Sequence, residues 1–97
     1  MKQKIDESQI KNVERILEGY KELSHLKVRT LGDLLILDSM PDGKRYSHTR
    51  FRCLSKNIFR LEMPTRNKWE TTPFEGSLED LLQMVIDQFP WTLANLE

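Results

Sequence analysis

The chain has 97 residues with 15 basic and 15 acidic side chains, so its formal net charge is zero and its calculated pI is about 6.7. A chain of this length predicts one domain over residues 1–97, with one modest core and no large enclosed cleft. The composition, 38% hydrophobic and 31% charged, excludes a disordered tail. Because Cys53 is the only cysteine, an internal disulfide is also excluded.

The sequence contains no pattern for membrane insertion or secretion. Its longest aliphatic run, Leu34-Leu35-Ile36-Leu37, has four residues, whereas a membrane helix needs about 20. The first residues carry charges of both signs and precede no apolar stretch of signal-peptide length. We therefore expect a cytoplasmic protein that makes no membrane contact.

Residues 6–24 predict an amphipathic helix. Ile10, Val13 and Leu17 recur at the spacing that lines one face of a helix. Asp6 with Gln9, or Ser8 one step later, can cap the amides of the first turn.

From Leu26 onward the apolar pattern changes from a helical period to a period of two. Gly32-Asp33 interrupts it, which leaves two interpretations: a tight hairpin, slightly favoured, or one long bent strand with a bulge at Gly32. The segment Pro41-Asp42-Gly43 predicts a turn, because proline presets φ and glycine accepts positive φ.

Segments 45–54 and 58–63 predict a second hairpin. We expect the three-residue loop Ser55-Lys56-Asn57, with Asn57 in the left-handed region. The register pairs Leu54 with Ile58, Cys53 with Phe59, Phe51 with Leu61 and Arg52 with Arg60. Only such a register brings both apolar sets to one face.

The C-terminal part predicts a short strand over 68–72 and then a helix. Ser77 and Asp80 form a near capping box, apolar residues follow the helical period to Phe89, and Pro90 ends the helix. Trp91, Leu93 and Leu96 either fold back as a hydrophobic tail or dock on another protein.

This order of elements predicts an α+β domain with two layers. We expect an antiparallel sheet of three to five strands, with the N-terminal and C-terminal helices packed on one of its faces.

The zero net charge conceals an uneven distribution of charge. Residues 28–69 carry a balance of +5, and residues 70–97 carry −6. Strand alternation places a basic row on the face away from the core. The predicted binding residues are Lys44, Tyr46, His48, Arg50, Arg52 and Arg60.

Three hypotheses follow from this basic hairpin (residues 44–60). In the first, the protein is a non-enzymatic binding module for a polyanion such as RNA or DNA. A row of cations binds a phosphate backbone by releasing its counterions, and an interleaved tyrosine can stack on a base. In the second, it is a regulatory protein of phage, mobile-element or antitoxin type. Such a protein would dock on an acidic protein surface through the hairpin or the tail, or form a homodimer through a sheet edge or residues 91–97. Alternatively, the row is an ordinary solvated face, or residues 70–97 neutralise it.

The third hypothesis is a metal-independent ribonuclease with His48 as a general base, and His48 is the only catalytic candidate. We expect Cys53 to be a buried, unreactive thiol. His25, His48 and Cys53 lack metal-ligand spacing, and no glycine-rich phosphate loop occurs, so we expect neither a metal nor a cofactor.

The order of a leading helix, a basic hairpin and a closing strand followed by Gly-Ser-Leu-Glu-Asp-Leu-Leu resembles the small ribonuclease toxins of bacterial toxin–antitoxin modules. The resemblance covers about half of the chain, residues 44–89. It implies the ribonuclease activity of the third hypothesis and carries over no catalytic residue.

Overall fold

The computed structural model describes residues 5–95, and its order of elements confirms the predicted α+β fold. Helix α1 (Glu7–Glu18) precedes five strands, and helix α2 (Leu78–Gln88) follows them. The strands are β1 (Lys27–Leu31), β2 (Leu34–Ser39), β3 (Tyr46–Ser55), β4 (Ile58–Pro64) and β5 (Trp69–Gly76). Short 3₁₀ turns occupy Lys21–Leu23, Pro41–Gly43 and Pro90–Leu93. Leu96, which we assigned to the tail, lies outside the described residues.

The five strands form one antiparallel sheet in chain order, β1-β2-β3-β4-β5. Both helices pack on one of its faces, and the core lies between the two layers. The helices contribute Val13, Leu17, Leu81, Leu82 and Val85, and the strands contribute Leu35, Leu37, Phe51, Cys53, Phe59 and Leu61. The opposite face of the sheet is called the outer face below.

Helix α1 begins as predicted but is shorter than the predicted span of 6–24. The Asp6 side chain accepts from the Gln9 amide, and the Gln9 side chain accepts from the Asp6 amide, so the capping box is complete. The helix ends at Glu18 with Gly19 as its C-cap. Glycine favours termination because it loses more conformational entropy than alanine in a helix interior.

Strands β1 and β2 form the tight hairpin, which excludes the single bent strand. Leu31 pairs with Leu34, and Gly32-Asp33 forms the turn between them. Gly32 has φ +60°, and a positive φ at the first central residue is typical of a type II′ turn. The predicted turn at Pro41–Gly43 is also present, with Gly43 at φ +77°.

The register of the β3–β4 hairpin is confirmed in its body and differs at its end. Cys53 pairs with Phe59, Arg52 with Arg60, and Phe51 with Leu61. The last pair, however, is Ser55 with Ile58, and the register shifts between Cys53 and Ser55. The prediction that Leu54 pairs with Ile58 is therefore wrong.

This difference at the end of the hairpin shortens the loop by one residue. Asn57 has φ +65°, as we expected for the left-handed position. A loop with a left-handed residue is accommodated by a bulge in the adjacent ladder, so Leu54 has no partner on β4.

Strand β5 extends beyond the predicted 68–72 and passes through Pro73. Since β5 is an edge strand, its proline need not donate a hydrogen bond on the open side. Its register against β4 also shifts between Arg60 and Glu62, opposite this part of β5.

Helix α2 and the tail largely follow the prediction. The Ser77 hydroxyl accepts from the Asp80 amide at 3.1 Å, and the helix ends at Gln88, before Pro90. In the tail, Leu93 is fully buried in the core, whereas Trp91 is 67% exposed. The tail therefore folds back through its leucine and leaves its tryptophan on the surface. No helix within residues 5–95 has the length and the apolar character that a membrane span requires.

Candidate binding surface

Three of the predicted binding residues lie together on the outer face. Arg50 and Arg52 alternate along β3 with the buried Phe51 and Cys53, so their side chains lie on the side away from the helices. Arg60 on β4 is the cross-strand partner of Arg52. The sequence thus placed these arginines correctly and predicted the juxtaposition of two like charges.

Carboxylates on the same face neutralise this arginine cluster. Glu62 accepts from Arg50 Nε at 2.6 Å and from Arg52 Nε at 2.9 Å, one arginine on each oxygen. Arg52 Nη1 also lies 3.3 Å from Asp33 Oδ2, and Arg60 Nη2 lies 2.6 Å from Glu75 Oε2. The repulsion between the opposed guanidinium groups of Arg52 and Arg60 is offset by a carboxylate partner for each of them.

Glu62 is the centre of this network. Its side chain is almost completely buried, and burial raises its pKa, but the hydrogen bonds from Arg52 and Arg50 and their charges lower the pKa more. The net result is a pKa below the ordinary value for glutamate. The pKa of Arg52 is raised, chiefly by its hydrogen bond to Glu62. Both groups are therefore charged in the fold.

A second ion-pair group lies on the β1–β2 side of the outer face. Asp38 Oδ2 is 2.5 Å from Arg29 Nε and 3.8 Å from Arg45 Nε, and its other oxygen accepts from the Ser47 hydroxyl at 2.7 Å. The six ion pairs of the described residues thus involve five arginines and four carboxylates. The outer face is nearly neutral as a surface.

Apolar side chains lie beneath these arginines. Ile36 is 3% exposed although it lies outside the main core, and its cross-strand neighbours are Arg29 and Arg50. The Cζ of Arg50 lies 4.3 Å from the centroid of the Trp69 ring. Long arginine stems cover apolar surface in this way, so these residues contribute to packing as well as charge.

The prediction that His48 lies on the outer face is wrong. His48 is 1% exposed, and its Nδ1 is 2.9 Å from the carbonyl oxygen of Thr92 in the helical layer. Leu37 pairs with Thr49 but Asp38 pairs with Ser47, so His48 is an extra residue in a bulge of β3. The extra residue breaks the strict alternation on which the prediction depended.

The same bulge moves Tyr46 off the arginine face. Tyr46 packs edge-on against His48, with ring centroids 4.9 Å apart, and it remains 44% exposed. It therefore lies at the rim of the helical side. The alternation of side chains in the sequence gives no sign of this bulge, which follows from the pairing of Leu37 with Thr49 and of Asp38 with Ser47 in the structure.

The interior position of His48 also removes the support for its catalytic assignment. Ser39 Oγ lies 2.6 Å from Nε2, so both ring nitrogens have protein partners, and Ser39 is itself 4% exposed. Burial lowers the pKa of His48 more than its other surroundings raise it. A general base must reach the proton that it abstracts, and a substrate has no access to the buried ring of His48.

The remaining candidates are the Cys53 thiol and a metal site. The Cys53 thiol is buried beside Ser55, to whose carbonyl it donates at 3.4 Å, and burial raises its pKa. A thiol with a raised pKa is a poor nucleophile. Residues 5–95 contain no group of three or more His, Cys, Asp or Glu side chains placed to hold a metal ion.

Exposed basic residues gather at one end of the sheet. We call this group the basic end, and its members are Lys44, Arg45, Arg66 and Lys68. Residues 44 and 45 precede the start of β3, while residues 66 and 68 follow the end of β4. Because β3 and β4 are antiparallel neighbours, both pairs lie at the same end.

The basic end differs from the arginine cluster in its lack of internal partners. Within the part of the chain that the structure describes, Lys44, Arg66 and Lys68 form no ion pair. Arg45 has only the 3.8 Å contact with Asp38, and its side chain is 59% exposed. Tyr46 begins β3 at this end. The sequence identified Lys44 and Tyr46 but did not group them with Arg66 and Lys68.

Residues 70–97 neutralise the basic hairpin only in part. Glu75 on β5 contacts Arg60, as expected from the alternative in which residues 70–97 neutralise the basic row. Glu79 belongs to α2 on the other side of the sheet, where it accepts from Asn12 at 3.2 Å. The partners of Arg50 and Arg52 come from the turn at Asp33 and from Glu62, within residues 28–69.

Comparison of the chain with family models, with curated proteins and with solved structures finds no match.

Proposed function

We propose that this domain is a non-enzymatic binding module for single-stranded nucleic acid, and that the basic end is its contact surface. The arginines of the outer face stabilise the fold in this proposal. Lys44, Arg45, Arg66 and Lys68 bind phosphates, and Tyr46 stacks on a base.

The observation that carries the proposal is the contrast between paired and unpaired cations. Arg50, Arg52 and Arg60 each contact a carboxylate within 3.3 Å. Lys44, Arg66 and Lys68 are exposed and form no ion pair among residues 5–95. Cations that no internal carboxylate neutralises remain free to replace the counterions of a phosphate backbone.

The local charge supports an anionic ligand despite the zero net charge. Between Gly43 and Trp69, Glu62 is the only acidic residue. Both of its oxygens are occupied by Arg50 and Arg52. An approaching phosphate therefore meets no uncompensated carboxylate in this segment.

Tyr46 favours an unpaired strand over a duplex. Its ring is 44% exposed and is held at an angle of 70° to the ring of His48. An anchored, accessible aromatic ring can stack on an unpaired base, whereas the bases of a duplex are already stacked on each other.

Fluorescence anisotropy with labelled single-stranded RNA and DNA of about 12 nucleotides tests the proposal. If all four cations of the basic end contact phosphates, the slope of log K against log salt should be roughly −3, at about −0.7 for each contact. Lys44→Gln with Lys68→Gln should make the slope less steep by roughly 1.4. RNA and DNA are compared directly, because the proposed phosphate and stacking contacts do not depend on a 2′-hydroxyl.

The matched control is Lys11→Gln with Lys56→Gln. Both lysines are exposed and give the same change in net charge, but Lys11 lies on α1 and Lys56 lies in the turn at the other end of the β3–β4 hairpin. This variant should bind as the wild type does. Equal weakening by both double variants, or no binding at low salt, contradicts the proposal. Binding of a polyglutamate peptide but of neither nucleic acid assigns the basic end to an acidic protein instead.

A further inference from the structure

Residues 89–95, which we call the C-terminal strap, cross from the end of α2 to β3. Leu93 of the strap is fully buried in the core, so the strap completes the helical layer. Phe89 and Trp91 pack edge to face on its surface, with ring centroids 5.6 Å apart. The attachment of the strap therefore determines whether part of the core is covered.

Two histidines hold consecutive carbonyl groups of this strap. His25 Nε2 donates to the carbonyl of Leu93 at 2.6 Å, and His48 Nδ1 donates to the carbonyl of Thr92 at 2.9 Å. Since a carbonyl oxygen can only accept, each of these ring nitrogens carries a proton. The two histidines come from different elements, the linker before β1 and the bulge of β3, yet their ring centroids are 5.6 Å apart.

The second nitrogen of His48 is also occupied. The Ser39 hydroxyl lies 2.6 Å from Nε2. With Nδ1 as the donor to Thr92, a neutral ring accepts from Ser39 at Nε2. Ser39 and His48 are 4% and 1% exposed, so this arrangement excludes water. His48 can take up a second proton only at Nε2, and the hydroxyl hydrogen of Ser39 already occupies that position.

The charged and titratable groups around the pair come from several elements. Asp38 of β2 acts on His48 through its charge, and Tyr46 of β3 packs against the same ring. Lys21 and Glu22 line a cleft of about 430 Å³ beside His25, together with Leu93 and Asn95 of the strap. The cleft gives water a route to the strap once its carbonyls are released.

We propose that the attachment of the C-terminal strap is sensitive to pH, with the neutral ring of His48 holding the strap beside His25 and acid releasing it. Protonation of His48 creates a buried charge on a ring whose centroid lies 5.6 Å from that of His25. Release of the strap returns His48 to water, where the charge is solvated. This inference does not depend on the proposed function.

The electrostatics of His48 agree with this geometry. Burial lowers its pKa most and the charge of His25 lowers it further, while the Thr92 carbonyl and the charge of Asp38 raise it. The net pKa is below the ordinary 6.5. By linkage, the released state binds the proton first, so the opening constant rises by up to about tenfold per pH unit below about 6.5.

Amide hydrogen exchange read by mass spectrometry tests the proposal on the full chain. After correction for intrinsic exchange, opening of residues 89–95 should rise up to about fivefold between about pH 6.5 and 5.5. The buried turns of α1 around Val13 and Leu17 should change much less and serve as the internal control. Exchange that rises equally in α1 and the strap, or a strap that stays equally protected, overturns the proposal.

A pair of variants separates titration from hydrogen bonding. His48→Asn keeps a side-chain N–H near the Thr92 carbonyl but cannot titrate, so its strap opening should lose most of the pH dependence. His25→Gln keeps an N–H toward the Leu93 carbonyl, so its strap opening should retain the larger part of the pH dependence. A full pH dependence in His48→Asn overturns the assignment to His48.

A second measurement keeps the test decisive if His48→Asn fails to fold. The ¹⁵N shifts of the wild-type imidazoles report the tautomer and the titration of each ring. His48 should be protonated at Nδ1 and neutral while the strap is protected. A His48 that titrates at its ordinary pKa while the strap remains protected contradicts the proposal.

Discussion

Glu62→Gln should destabilise the domain more than the loss of any single exposed ion pair. Glu62 is 3% exposed, and its two oxygens hold Arg50 and Arg52 at 2.6 and 2.9 Å. Glutamine keeps one carbonyl oxygen and removes the negative charge, so one arginine loses its partner and both lose their neutralising charge.

The expected cost follows from the burial of these groups. A hydrogen bond to a charged group contributes about 1.5–3 kcal/mol, and breaking a fully buried pair costs about 3–5 kcal/mol. The side chains of Arg50 and Arg52 are 18% and 33% exposed, so they can recover some hydration. We therefore expect a loss of about 2 kcal/mol in the free energy of unfolding, equivalent to about 10 °C in Tm for a domain of this size.

Urea and thermal unfolding followed by circular dichroism measure this loss. Glu75→Gln is the matched control, because it makes the same change in charge at an ion pair whose carboxylate side chain is 44% exposed. Exposed pairs contribute less than about 1 kcal/mol. If Glu62→Gln costs no more than Glu75→Gln, the arginine cluster is not held by Glu62 and the contrast between paired and unpaired cations fails.

Three further outcomes follow from the same contacts. Because the pKa of Glu62 is lowered from 4.5, its contribution is complete above that pH and is lost as pH falls through the folded-state value, so the stability gap between the wild type and Glu62→Gln should shrink in acid. In urea titrations, Leu93→Ala should cost about 2–5 kcal/mol and Trp91→Ala less than about 1, since only the leucine is buried; equal losses would refute this division of the strap. Gly32→Ala should cost about 1–2 kcal/mol, because the alanine must adopt φ +60° in the β1–β2 turn; a neutral effect in the same titration would show that the turn is not constrained.

Regular periodicity made most of the fold predictable from the sequence. The capping boxes, the turn signals and the alternation of Phe51, Cys53, Phe59 and Leu61 each specify local geometry, and they agree with one another. The register of β3 and β4 followed because only one arrangement buries both apolar sets. The sequence did not predict the end of α1 at Gly19, because an isolated glycine is tolerated inside a helical pattern and can also end one.

The binding site was less predictable because it depends on a single inserted residue. The bulge at His48 reverses the alternation for Tyr46 and His48, and nothing in a strand's own periodicity announces such an insertion. The pairing of Arg50 with Glu62 could have been inferred, since the confirmed register sets them opposite each other. The grouping of Lys44 with Lys68 needed the order of strands in space, which the sequence leaves open.

The most direct test of the proposed function is a titration of the ¹⁵N-labelled protein with a short single-stranded oligonucleotide at low salt, followed by amide and side-chain shifts. We expect the perturbed signals to belong to residues 44–46 and 65–69, with the Tyr46 ring among the most strongly shifted. Arg50 and Arg52 Nε–H signals should stay near their free positions, because Glu62 already binds them. Shifts concentrated on the outer-face arginines, or none at all, would contradict the assignment of the basic end.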